Sequence, residues 1–137
     1  MSADGSRARA SATGRELLYE SDRTRVVRLR LPDGAVIRKE PLGPGGRQRI
    51  RHETAILDRL VGVDGVPSLV IVAGEASHHE PGVVVADTGG VPLAETLAAG
   101  RPDPAALLDL AVDLAGVVAA VHRRGVVHKD INPANIL

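Results

Sequence analysis

The chain has 137 residues, in which 17 Lys+Arg balance 17 Asp+Glu, and it has no cysteine. Zero net charge gives no global pull toward nucleic acid or anionic membranes, and the lack of cysteine excludes disulfides and thiolate metal sites. The polar, basic start has no apolar signal core and no apolar run is expected to approach bilayer length, so the expectation is a cytoplasmic domain with neither a nucleic-acid nor a membrane partner.

The first 13 residues are expected to be disordered. Antiparallel strands follow at Glu16–Glu20, Thr24–Leu31 and Ala35–Glu40. In the second, Val27, Leu29 and Leu31 share one side, with Arg28 and Arg30 on the other as its solvated face. Pro32-Asp33-Gly34 is a turn signal between the second and third strands. The period then changes: Ile50, Leu57 and Leu60 mark a helix that Gly62 stops. Two further strands are expected at Ser68–Ala73 and Gly82–Ala86, joined by the polar segment Glu75–Glu80. A solvated turn is the expectation for His78-His79 there. A short helix at Leu93–Ala98 follows, then a long one from about Pro104 to Arg124 with Asp103 as N-cap. That last helix is apolar nearly all round, interrupted by Asp109, Asp113 and His122, so burial on every side is expected. Too little chain follows to cover it, and Asp109 and Asp113 are expected to meet polar groups outside the chain.

Tyr19 is the only aromatic side chain besides the five histidines, and Lys39 and Lys129 are the only lysines in an arginine-rich chain. An arginine replaces lysine as a solvated charge but not where a compact ammonium is required. The final loop, His128-Lys129-Asp130-Ile131-Asn132-Pro133-Ala134-Asn135, sets a carboxylate and a carboxamide a few residues apart around a proline that fixes its own φ.

This loop resembles the catalytic loop H-R-D-L-x-x-x-N of the protein kinase superfamily. The resemblance covers about residues 14–137. It implies an α+β fold: a kinase-like small lobe over 14–88, with a five-stranded antiparallel sheet and one helix, then residues 89–137 as the first helices and catalytic loop of an incomplete helical large lobe. It also implies roles. Asp130 would accept the proton of the substrate hydroxyl, and Asn135 would hold magnesium through the nucleotide. Lys39, in VIRK, would pair with the phosphates, with Glu53 on the following helix as its carboxylate partner. Val26 and Ile37 would line the nucleotide face, and backbone groups of Ala86 and Thr88 would meet the adenine edge. ATP and Mg2+ are the implied cofactors, and a protein substrate or partner the implied second molecule.

The departures are equally specific. No glycine lies between the first two strands, where Tyr19, Ser21 and Thr24 occupy the glycine positions of the kinase G-x-G-x-x-G. Asn132 stands where Ser/Thr-directed kinases usually carry lysine. HKDINPAN resembles the kinase-like domain that opens large bacterial multidomain regulators. No D-F-G, A-P-E or remaining helical lobe follows, so the domain is expected to be truncated after the catalytic loop, with a missing large lobe able to dock. The functional expectation is phosphoryl transfer to a protein Ser/Thr hydroxyl in the intact family. The alternatives are a non-catalytic nucleotide- or partner-binding module and a small-molecule phosphotransferase.

Overall fold

A computed structural model describes residues 12–72 and 82–137. The elements run β1 (Gly14–Glu20), β2 (Thr24–Leu31), β3 (Gly34–Pro41), α1 (Gly46–Arg59), β4 (Val83–Ala86), α2 (Leu93–Ala99) and α3 (Pro104–Arg123), with a 3-10 turn at Pro133–Asn135. They fall into two compact units. One holds residues up to Asp58 plus Pro67–Asp87, the other Arg59–Val66 plus Thr88–Leu137.

The first unit is an antiparallel sheet in the order β1-β2-β3-β4. Alternation decides its faces, because successive side chains of a strand point to opposite sides. Val27 and Leu29 of β2 and Val36 of β3 are buried together, with Leu31, Val70, Val72 and Val84 packed against them. The opposite face carries Arg28, Arg30, Ile37 and Lys39, since Val26 lies across from Lys39 and Arg28 from Ile37. β1 carries one extra residue between Leu17 and Tyr19, a bulge in its pairing with β2. The β1–β2 turn closes without glycine. Ser21 Oγ accepts the N–H groups of Arg23 at 3.3 Å and Thr24 at 3.2 Å, the local bonding that lets serine stand in at turns.

Among the described residues the sheet has four strands, where five are expected. Residues 68–70 lie beside β4 but make a single bridge, Leu69 to Val85. Its hydrogen bonds run from Val70 N–H to Val84 O and from Ala86 N–H to Ser68 O, each 2.9 Å. Ile71 is 99% exposed while Val70 and Val72 pack on the core, and no ladder pairing continues past Leu69. Pro67 removes a donor before the bridge and helps limit it. The expectations for residues 1–11, for Ala73, for the polar segment 75–80 and for His78-His79 lie outside the described residues.

Alternation has a second consequence on β3. Counting by twos from Val36 puts Arg38 and Glu40 on the core face, and both are buried. Glu40 Oε2 accepts from Arg15 Nη2 at 2.9 Å, while Arg38 Nε lies 3.4 Å from Glu40 Oε1. Buried charges persist only when paired in this way.

In the second unit α3 begins at Asp103, whose side chain accepts the Ala105 N–H at 3.3 Å, as expected of that cap. It ends at Gly125, whose φ of 71° is the left-handed value that glycine adopts at helix ends. Beyond the helix, Arg59 Nη2 donates to Arg124 O at 2.9 Å and Arg124 Nη1 to Arg59 O at 3.2 Å. This reciprocal pair fixes the start of the final loop. Of the apolar residues on α3 only Val121 is buried. The helix is 20 residues long with a mean hydropathy of 1.9 over its apolar stretch, enough by length and composition to cross a bilayer. That corrects the expectation that no apolar run approaches bilayer length: the two aspartates interrupt the pattern without lowering its average enough.

Candidate functional site

Lys39 sits on β3 and Glu53 on α1, and the local sequence explains how they meet. Gly46 opens α1 against the end of β3, where a Cβ would come within 2.7 Å of Pro41 Cβ, so only glycine permits that approach. Glu53 follows about two helical turns later. Its Oε1 lies 2.7 Å from Lys39 Nζ. The side chains are 40% and 37% exposed, so as an ion pair the contact is worth only about 0.2–1 kcal/mol of stability. Such a pair orients an ammonium more than it holds the fold together.

The sheet face around Lys39 is apolar. Val26 and Val83 lie directly across from Lys39 on the neighbouring strands, and Val85 lies across from Ile37. The expected grouping of Val26, Ile37 and Lys39 on one face is therefore present. Farther along the same face is a residue whose role sequence reasoning missed. Arg28 Nε donates to Asp87 Oδ2 at 2.6 Å and its Nη1 to Glu16 Oε2 at 3.2 Å. These bonds, that to Asp87 first, raise the Arg28 pKa above its ordinary value. Arg28 is an anchor that ties Asp87 to the sheet, which corrects its reading as a solvated charge.

The segment after β4 is partly committed. The Ala86 N–H already donates to Ser68 O at 2.9 Å, which leaves that amide unable to meet an adenine edge and confines any such role of Ala86 to its carbonyl. Thr88 opens the second segment of the second unit, and its Oγ1 accepts the Gly90 N–H at 3.4 Å. At the β1–β2 turn the amides of Arg23 and Thr24 are likewise taken by Ser21 and offer no cradle for phosphate.

The final loop, in the second unit, is built around Asp130. Asn132 Nδ2 donates to its Oδ1 at 3.0 Å and Asn135 Nδ2 to its Oδ2 at 3.1 Å. Asn135 Nδ2 also reaches the Asp130 carbonyl, and the Asp130 N–H donates to His128 Nδ1 at 3.2 Å. Asn132 Oδ1 in turn accepts the Ala134 N–H at 3.0 Å, an Asx turn that starts the 3-10 turn at Pro133. The Asn-Pro dipeptide is the sequence signal for this turn, but its consequence, a carboxamide holding the carboxylate, is visible only in the structure. Lys129 has φ 68°, a left-handed conformation that non-glycine residues adopt at a cost and that recurs at functional loops.

The four expected residues thus form two pairs, Lys39 with Glu53 and Asp130 with Asn135, each within its own unit. Among the described residues no group of three or more His, Cys, Asp or Glu forms a metal site. The donor set suits magnesium in one way only. Asn135 Oδ1 accepts no hydrogen bond among the described residues and is a neutral amide oxygen, of the kind that can ligate a divalent cation. Magnesium is commonly held by one or two protein oxygens together with phosphates and water. No protein-family model and no curated protein matches the sequence.

Proposed function

We propose that the chain is an ATP-binding domain of protein-kinase type, whose chemistry is transfer of the γ-phosphoryl group to a protein Ser/Thr hydroxyl. The observation that carries the reading is the 2.7 Å contact between Lys39 Nζ and Glu53 Oε1 at the edge of an apolar sheet face. An ammonium has more donors than one carboxylate oxygen uses, so Lys39 keeps N–H groups for phosphate oxygens. Val26 and Ile37, both half-buried on the Lys39 face, offer the apolar surface that a purine base stacks on.

Asp130 supplies the acceptor. Each of its carboxylate oxygens takes one amide N–H, and each retains lone-pair capacity for a hydroxyl proton. In the transfer the hydroxyl oxygen bonds to the γ-phosphorus, its proton passes to Asp130, and the bond to the ADP oxygen breaks. Asn135 Oδ1 would be a protein ligand of magnesium, which would supply charge neutralisation when bound. Rigidity is the contribution of Asn132: a positioned base contributes about 10²–10⁴-fold.

A second reading is favoured by one observation. The β1–β2 turn spends its amides on Ser21, so the phosphates lack a backbone cover, which suits nucleotide or partner binding without turnover. Incubation with labelled ATP, magnesium and a generic protein substrate separates the two. Transfer that falls at least 10²-fold in Asp130→Ala supports the first. ATP binding without transfer supports the second. Transfer unchanged in Asp130→Ala removes Asp130 from the chemistry.

A further inference from the structure

The solvent-facing side of α3 is a surface that the nucleotide chemistry does not use. Ala105, Leu108, Val112, Ala115 and Ala119 fall on one stripe of the helix, and all are exposed, Leu108 at 69% and Val112 at 72%. Two charges border this stripe on the same side, Asp109 toward the N-terminus and Arg123 toward the C-terminus. They are equidistant along the helix from Gly116. A Cβ built at Gly116 would meet nothing within 4 Å, so the middle of the face is open.

This arrangement is complementary to itself. When two copies of a helix pair antiparallel about a two-fold axis, the same border of each faces its counterpart with the direction reversed. With the crossing at Gly116, the acid at one end of the border meets the base at the other end of its copy. Parallel pairing about a two-fold along the helices puts this border of the two copies on opposite sides of the seam, so Asp109 and Arg123 do not meet across it. Antiparallel pairing also opposes the two helix dipoles favourably.

We propose that α3 is a self-association surface, pairing antiparallel with α3 of a second copy of this chain through Leu108 and Val112, with Asp109 of each copy against Arg123 of the other. A bilayer has the same appetite for apolar area but fits less well. Asp109 and Asp113 lie within the apolar stretch, and carboxylates inside hydrocarbon are costly. The proposal stands on this helix alone and is independent of any nucleotide role.

Sedimentation equilibrium of the full chain over a range of concentrations tests it. A monomer–dimer equilibrium is expected, weakened at least tenfold by Asp109→Arg and by Arg123→Asp singly, and restored to within about threefold when both are combined. Both positions are exposed, so far-UV circular dichroism stays unchanged in each variant. If a reversal disturbs the spectrum, Asp109→Asn and Arg123→Gln, which keep side-chain volume, take its place and are expected to weaken the dimer in the same direction. Val112→Glu, in the centre of the stripe, is expected to give monomer. A chain that is monomeric at every concentration, single changes without effect, or a double reversal that fails to restore pairing would each overturn the proposal. So would a monomer that partitions onto neutral phosphatidylcholine vesicles, which assigns the face to lipid.

Discussion

If the proposed function holds, Lys39→Ala is expected to weaken binding of Mg-ATP by about ten- to a hundred-fold while leaving the fold intact. The magnitude follows from removing hydrogen bonds to a charged group, about 1.5–3 kcal/mol, at roughly 1.4 kcal/mol per decade of affinity. The fold survives because the lost ion pair is half-exposed and adds little to stability. Glu53→Gln gives a smaller loss, since the carboxamide keeps an acceptor for Nζ but not the charge that orients it. Lys39→Arg is not expected to restore binding: a guanidinium can pair with Glu53, but it presents its donors to the phosphates as a planar fork and not as a compact ammonium. Isothermal titration and nucleotide-dependent thermal stabilisation measure all three. Equal affinity in wild type and Lys39→Ala would remove the lysine from any nucleotide site.

The largest effect on stability belongs to Glu40→Ala, expected at about 3–5 kcal/mol by urea denaturation. Glu40 is 4% exposed, so truncating it removes the buried carboxylate that both Arg15 and Arg38 face. A loss of that size is a large fraction of the total stability of a small domain, about 5–15 kcal/mol. The double change Arg38→Met with Glu40→Leu is expected to be near neutral or stabilising, because it removes both charges and fills the space with apolar volume. A cost below about 0.5 kcal/mol for Glu40→Ala, the range of an ordinary surface change, would show that the charges are solvated.

Local pattern made much of this legible in the sequence. Strand alternation gave the faces of β2, with Val27 and Leu29 inside and Arg28 and Arg30 outside. The Pro32-Asp33-Gly34 turn and the Asp103 cap stand where turn and helix chemistry place them. What pattern did not give depends on partners distant along the chain. Arg28 reads as a solvated charge until Asp87, brought alongside by β4, is seen to accept from it. The same alternation that buries Val36 also buries Arg38 and Glu40, but a charge on a core face is hard to accept before Arg15 is known to lie against it. The fifth strand failed because valine-rich composition at 68–72 signals strand propensity, whereas pairing needs a neighbour over several residues and β4 provides one bridge. The Asp130 loop shows both sides. Its carboxylate and carboxamide were visible as a motif, and the donation of Asn132 to Asp130 was not, because it depends on the backbone path around Pro133.

The most direct test uses the scarcity of lysine. An ATP derivative bearing an acyl group on its terminal phosphate transfers that acyl group to an amine held beside the phosphates, and Lys39 and Lys129 are the only lysines in the chain. After brief labelling with magnesium present, peptide mass spectrometry reads which lysine carries the acyl group. Acylation of Lys39, suppressed by excess ATP and absent in Glu53→Ala, is the expected result. Acylation confined to Lys129, or labelling of Lys39 that excess ATP does not suppress, would contradict a phosphate-holding role for the Lys39–Glu53 pair.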